Sequence, residues 1–116
     1  MSSRQWQMRV QDILEAIASI QRLTEGMRFT EFAGDEAITK AVLYNFIIIG
    51  EASANVPAEV QSRYFDIPWR LMSDMRNVMA HEYFQISLRL VWSTVQNNLP
   101  MLVPQLQNLL ESEQEP

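Results

Sequence analysis

Residues 75–84 of this 116-residue chain read Met75-Arg76-Asn77-Val78-Met79-Ala80-His81-Glu82-Tyr83-Phe84 and include its only histidine. An arginine stands five residues before that histidine and a tyrosine two after it. An imidazole titrates near neutrality and can take a proton from a ribose 2′-hydroxyl or give one to a leaving oxygen. A guanidinium is permanently charged and can hold a phosphate through two parallel hydrogen bonds as charge builds in the transition state. With the 2′-hydroxyl as nucleophile, such a cleavage needs no metal. The same residues also have an ordinary reading. A lone histidine near a helix end is more often structural, Arg76 can pair with Glu82 or Asp74, and Tyr83 and Phe84 can be core aromatics.

Helical spacing constrains the chemistry. At 3.6 residues per turn, Tyr83 falls about 20° from Arg76 and His81 about 140° away. A straight helix would therefore point the two candidate groups apart. Either the helix loosens near His81, or a second copy of the chain completes the site.

The elements that must position these residues follow from apolar periodicity, which is helical nearly throughout. Trp6, Val10, Ile13, Ile17 and Ile20, with Leu14 beside them, make one stripe on a first helix. Ser2 or Ser3 is its N-cap and Gly26 its stop. Thr30 to Gly34 is a short connector of about one turn. Asp35 caps a second helix over 36–55, whose inward face is read as Ile38, Ala41, Val42, Asn45, Ile48, Ile49 and Ala52. The run Phe46-Ile47-Ile48-Ile49 is apolar on all sides and belongs in a core or an interface. Pro57 opens a short helix over 58–63. Asp66 caps the next, with Pro68 in its first turn. Ser87 caps a last helix through Leu88, Val91, Trp92, Val95 and Leu99, with a kink expected at Pro100 and Pro104. The pattern predicts an all-α, antiparallel up-and-down bundle of about five helices.

Composition bounds the function. The length allows one domain, read as residues 1–110 with an acidic C-terminal tail over 111–116. Forty-seven percent of residues are hydrophobic and 20% charged, a globular balance. Cysteine is absent, which excludes disulfides, thiolate metal sites and thiol nucleophiles, and one histidine makes a zinc site a poor prospect. No metal or cofactor is expected. The first residues lack the apolar core of a secretory signal, and the oily stretch from Ala41 to Ile49 is about half a bilayer span, so a cytoplasmic protein without membrane contact is expected. The net charge of −5 disfavours broad, nonspecific nucleic-acid binding. From Arg63 to Arg89, however, four arginines face three acids, which leaves room for a local phosphate site. Trp6, Trp69 and Trp92 read as core or dimer-interface residues, and the methionines as core filler. Asn45 and Glu51 sit in an oily helix and are expected to make interhelical hydrogen bonds; the alternative for Glu51 is an approach to the active groove.

The string Arg-x4-His-x-Tyr, as Arg76, His81 and Tyr83, resembles the signature of HepT-like HEPN proteins, and Asn77 after the arginine fits their usage. Ile48-Ile49-Gly50-Glu51-Ala52 is similar to that family's second-helix signature. Ile67-Pro68-Trp69, His81-Glu82-Tyr83-Phe84, Val91-Trp92 and Leu99-Pro100 extend the resemblance over nearly the whole chain. It implies a homodimeric helical bundle whose two Arg-x4-His motifs meet at the subunit interface. It further implies a metal-independent endoribonuclease toxin of a type VII toxin–antitoxin system, acting on an RNA substrate. The implied partner is a MntA-type minimal nucleotidyltransferase that neutralises the toxin by AMPylation of the motif tyrosine. Carried onto this chain, Arg76 is the phosphate clamp, His81 the proton-transfer residue, Asn77 an orienting group and Tyr83 the modified position. The competing reading is a noncatalytic accessory subunit that binds nucleotide or substrate for a nucleotidyltransferase, with His81 structural.

Overall fold

The computed structural model describes the backbone over residues 3–79 and 87–113, and side chains over 6–77 and 87–113. Among the described residues every regular element is helical, and together they make an all-α bundle. In chain order these are α1 (Ser3–Thr24), α2 (Phe29–Ala33), α3 (Glu36–Ala54), α4 (Ala58–Arg63), α5 (Trp69–Asp74), a 3₁₀ turn (Met75–Met79), α6 (Leu88–Ser93), a π turn (Thr94–Asn98) and α7 (Leu99–Ser112).

Local chemistry sets most of the boundaries. Gly26 ends α1 in the left-handed region at φ 75°, where a side chain would be strained. The Asp35 carboxylate accepts from the Ile38 N–H at 3.0 Å and so caps α3. Ser87 does the same for α6, accepting from Leu90 N–H at 3.1 Å. Asp66, in contrast, does not cap α5. Pro68 occupies that position without a side-chain bond, and the Asp66 carbonyl instead accepts from Gln105 Nε2 of α7 at 3.3 Å. The kink expected at the prolines takes the form of the π turn, in which Leu99 N–H reaches back to Thr94 O. Pro100 cannot donate to the preceding turn, and widening that turn removes the clash of its ring with the carbonyl four residues back. Pro104 lies inside α7, which continues past 110 to Ser112.

The central element is α3, packed against α1 on one side and against α5 and the 3₁₀ turn on the other. It is long and apolar enough to cross a membrane by composition. In this fold it is the core helix. Its buried residues are Thr39, Val42, Leu43, Phe46, Ile49, Gly50, Ala52 and Ser53. The inward face is therefore turned about one residue from the one read off the sequence, and Ile38, Ala41, Asn45 and Ile48 form its half-buried flank. Thr39 and Ser53 tolerate burial because each hydroxyl donates to a carbonyl of its own helix, Glu36 O and Ile49 O. Asn45 behaves likewise: its amide donates to Ala41 O of α3 at 2.9 Å, so the expected interhelical bond is not made.

Around this axis, Val10, Ile13, Ile17 and Ile20 of α1 meet Leu99, Leu102, Leu106 and Leu109 of α7 in one core. Trp6 and Trp69 are buried in it, and Trp92 is half-buried against Phe29 and Phe32. Met72 and Met75 are core residues, but Met8 and Met101 are exposed, so core filling explains only some of the methionines. The C-terminal end is fastened by Glu113. Its carboxylate accepts from Arg63 Nη2 at 2.9 Å and from the Tyr64 hydroxyl at 2.7 Å, and its carbonyl accepts from Gln7 Nε2 of α1.

Candidate active site

The geometry around Arg76 begins with a glycine. Gly50, in the last turns of α3, lies so close to the 3₁₀ turn that a Cβ there would sit 2.5 Å from Arg76 Cβ and 2.8 Å from its Cα. Real Cβ atoms do not approach so closely, and only a residue without one lets the two backbones pack. The next residue, Glu51, then reaches the end of the same arginine: Arg76 Nη1 donates to Glu51 Oε2 at 3.1 Å. Both side chains remain open to solvent, Arg76 at 43% and Glu51 at 59% exposure.

Of the two pairings open to Arg76, the one with Asp74 is not made, and the one with Glu82 falls outside the described residues. Asp74 is turned toward Arg70 at 4.0 Å. The interhelical bond expected of Glu51 is made, and its partner is the candidate phosphate-holding group itself. Asn77, beside Arg76 on the 3₁₀ turn, is exposed. His81 and Tyr83 lie outside the described residues, as does Phe84.

The α-helix gives way to a different turn at Arg76 itself, while the loosening expected near His81 falls outside the described residues. The α-helical pattern ends at Asp74 and the chain tightens to three residues per turn from Met75 to Met79. Arg76 thus stands on a 3₁₀ turn, and its angular relation to His81 lies outside the described residues. A local 3₁₀ segment is a common mark of a functional hinge or of strain. Here it coincides with the close approach to Gly50.

Beyond the 80–86 stretch, α6 is anchored by aromatic packing. The Trp92 ring lies 5.0 Å from Phe32, and the Arg89 guanidinium lies 4.3 Å over Phe29. The described elements on either side of residues 80–86 are thus held by different helices, the 3₁₀ turn by α3 and α6 by α2. An open groove of about 650 Å³ between α1 and α3 is lined by Asp12, Glu15, Ser19, Arg22, Asn45 and Ile48. Two carboxylates against one guanidinium make it a poor seat for a phosphate. Among the described residues no group of acids and histidine is arranged to hold a metal.

Comparison with known proteins agrees with this architecture. The family model described as "Ribonuclease HepT-like" matches residues 13–109. A protein of Thermococcus cleftensis named "Probable ribonuclease HepT" is 37% identical over 100 residues, covering 86% of this chain and 91% of that protein. A "Putative RNase" of Caldanaerobacter subterraneus subsp. tengcongensis is 31% identical over 104 residues, 90% of this chain and 93% of its own. Another of that name from Methanocaldococcus jannaschii is 33% identical over 100 residues, 86% of this chain and 83% of its own. No solved structure gives a significant match. With Arg76 packed against Gly50 and the family model reaching from α1 to α7, the chain belongs to the HepT-like ribonuclease family.

Proposed function

We propose that this protein is a metal-independent endoribonuclease toxin acting as a homodimer. The observation that carries the reading is Arg76, half-exposed at the head of the Arg-x4-His stretch, with its backbone fixed against α3 and Asn77 beside it. In the reaction, a ribose 2′-oxygen attacks the adjacent phosphorus and the bond to the 5′-oxygen breaks. The products are a 2′,3′-cyclic phosphate and a free 5′-hydroxyl. Arg76 holds the non-bridging oxygens as charge develops on them, and Asn77 orients the phosphate. His81 moves the proton, and the second copy's motif supplies the partner for the other proton.

A dimer surface is supported by the outer side of α3. Tyr44 is 65% exposed and stands seven residues from Glu51, hence on nearly the same face, with half-buried Ile47 and Ile48 between them. Pairing two such faces would bring two copies of Arg76 into one groove and offset locally the chain's negative charge. Neutralisation is assigned to AMPylation of Tyr83 by a MntA-type nucleotidyltransferase. The added bulk and phosphate charge compete with RNA for Arg76 and His81.

The test is cleavage of single-stranded and structured RNA by wild type, Arg76→Ala and His81→Ala. Wild-type cleavage in the presence of a chelator, lost in both variants, supports the reading. Equal cleavage by His81→Ala removes His81 from the mechanism. No cleavage by wild type, together with tight association to a nucleotidyltransferase, favours the accessory-subunit reading.

A further inference from the structure

Two successive residues of α3 act on one arginine of another element. Gly50 lets the Arg76 backbone approach, and Glu51 takes one N–H at the end of its side chain. A pair as exposed as this one adds little to stability, because water screens it and two long side chains must be held still. Its consequence is geometric. A guanidinium carries five N–H donors in a rigid fork, and Glu51 engages the Nη1 end. Among the described residues nothing else bonds the edge formed by Nε and Nη2, which is thereby oriented and left for a second anion. We propose that Glu51 is a positioning residue for Arg76, fixing the guanidinium so that its free edge meets the phosphate of the substrate. This rests on the nuclease reading above for its purpose, though the positioning can be measured without it.

The carboxylate has a second, opposing effect. Its negative charge stands beside the group that must attract a phosphodiester, so it weakens ground-state binding while it improves alignment. Charge and hydrogen bonding can be separated, since glutamine keeps an acceptor oxygen and loses the charge, whereas alanine loses both.

The experiment compares wild type, Glu51→Gln and Glu51→Ala as full-length protein in steady-state cleavage of a fluorescent oligoribonucleotide. NMR of the Arg76 Nε–Hε group runs in parallel as a measure of side-chain order. Glu51→Gln is expected to keep kcat within about twofold and to lower KM about threefold. Glu51→Ala is expected to lower kcat about tenfold, as a misaligned clamp does, with increased motion at Arg76 Nε. Unchanged kcat and unchanged Arg76 order in Glu51→Ala overturn the proposal. So does an equal loss of kcat in both variants, which would make the charge itself the active property. If wild type cleaves no RNA, the nuclease reading falls, and the Nε–Hε comparison still decides whether Glu51 orders Arg76.

Discussion

Gly50 and Arg76 are packed backbone to backbone: a β-carbon at position 50 would fall 2.5 Å from that of Arg76 and closer still to its backbone nitrogen. The obstructing atoms belong to main chain and Cβ, so a side chain at 50 cannot be accommodated by a rotamer change. Gly50→Ala is therefore expected to push the 3₁₀ turn away from α3. The cost is about 1–3 kcal/mol, the usual range for overpacking, and is read as a lower midpoint in urea unfolding. Cleavage should fall further than stability, because the displaced residue is Arg76. A variant with wild-type midpoint and activity would show that the turn can move freely.

The α3 cap gives a second, simpler test. Asp35→Ala removes the acceptor for the Ile38 N–H at the start of the core helix. A loss of about 1 kcal/mol is expected from chemical unfolding, with cleavage unchanged at temperatures where the protein stays folded. Asp35 is four turns away from Glu51 along α3, so an effect on kcat would point to a coupling that the structure does not explain.

Much of this architecture was legible in the chain. Caps at Asp35 and Ser87, the stop at Gly26 and the short helix over 58–63 are local signals, set by residues within a turn of the boundary. The rotation of α3 was not. From Ala41 to Ile49 the helix is apolar on nearly every side, so hydrophobicity alone does not fix which face turns inward. The deciding residues are Thr39, Gly50 and Ser53, two of them polar and one with no side chain. Their burial depends on hydroxyls bonding to their own helix and on a close backbone contact, neither visible in an apolar pattern. For the same reason the Gly50-Glu51 pair could be recognised as a motif before its physical role was apparent. Arg76 is 25 residues farther along the chain.

Acid should loosen the C-terminal fastening. The hydrogen bond from Tyr64 is the main influence holding the Glu113 carboxyl below its ordinary value of 4.5; burial opposes it, and Arg63 adds to the lowering. A carboxylate whose folded pKa is depressed stabilises the fold above its unfolded value and ceases to do so as pH falls through the folded one. Wild type should therefore be more stable than Glu113→Gln at neutral pH, with the two unfolding midpoints converging below about pH 4.5. A constant difference across that range would mean that the charged form of Glu113 contributes nothing.

Tyr44 tests the proposed dimer separately from the chemistry. An exposed aromatic on the Glu51 side of α3 is costly to leave in water and suited to an interface. In the proposed dimer, Tyr44→Arg would place two cations opposite each other across the twofold contact, and should convert it to monomer in size-exclusion chromatography with light scattering. Because the second motif contributes to the proposed site, cleavage should fall in step with the dimer fraction. A monomeric variant with full activity would place the whole reaction within one chain.

The last prediction separates the arginine's shape from its charge. Lysine at position 76 keeps a positive charge and a similar reach, but replaces a planar fork by a single rotatable ammonium. If Arg76 served only to attract RNA, Arg76→Lys would change KM modestly and leave kcat in place. The geometry argues otherwise: Glu51 occupies one end of the fork, and an ammonium in its place would turn its strongest contact to that carboxylate. Nothing would then hold two phosphate oxygens at once. The loss should appear in kcat, by about a hundredfold or more, as when a donor to a developing oxyanion is removed. In Arg76→Lys combined with Glu51→Gln, part of that loss should return, because the competing carboxylate is gone. Activity of the single variant within about threefold of wild type would reduce Arg76 to a point charge.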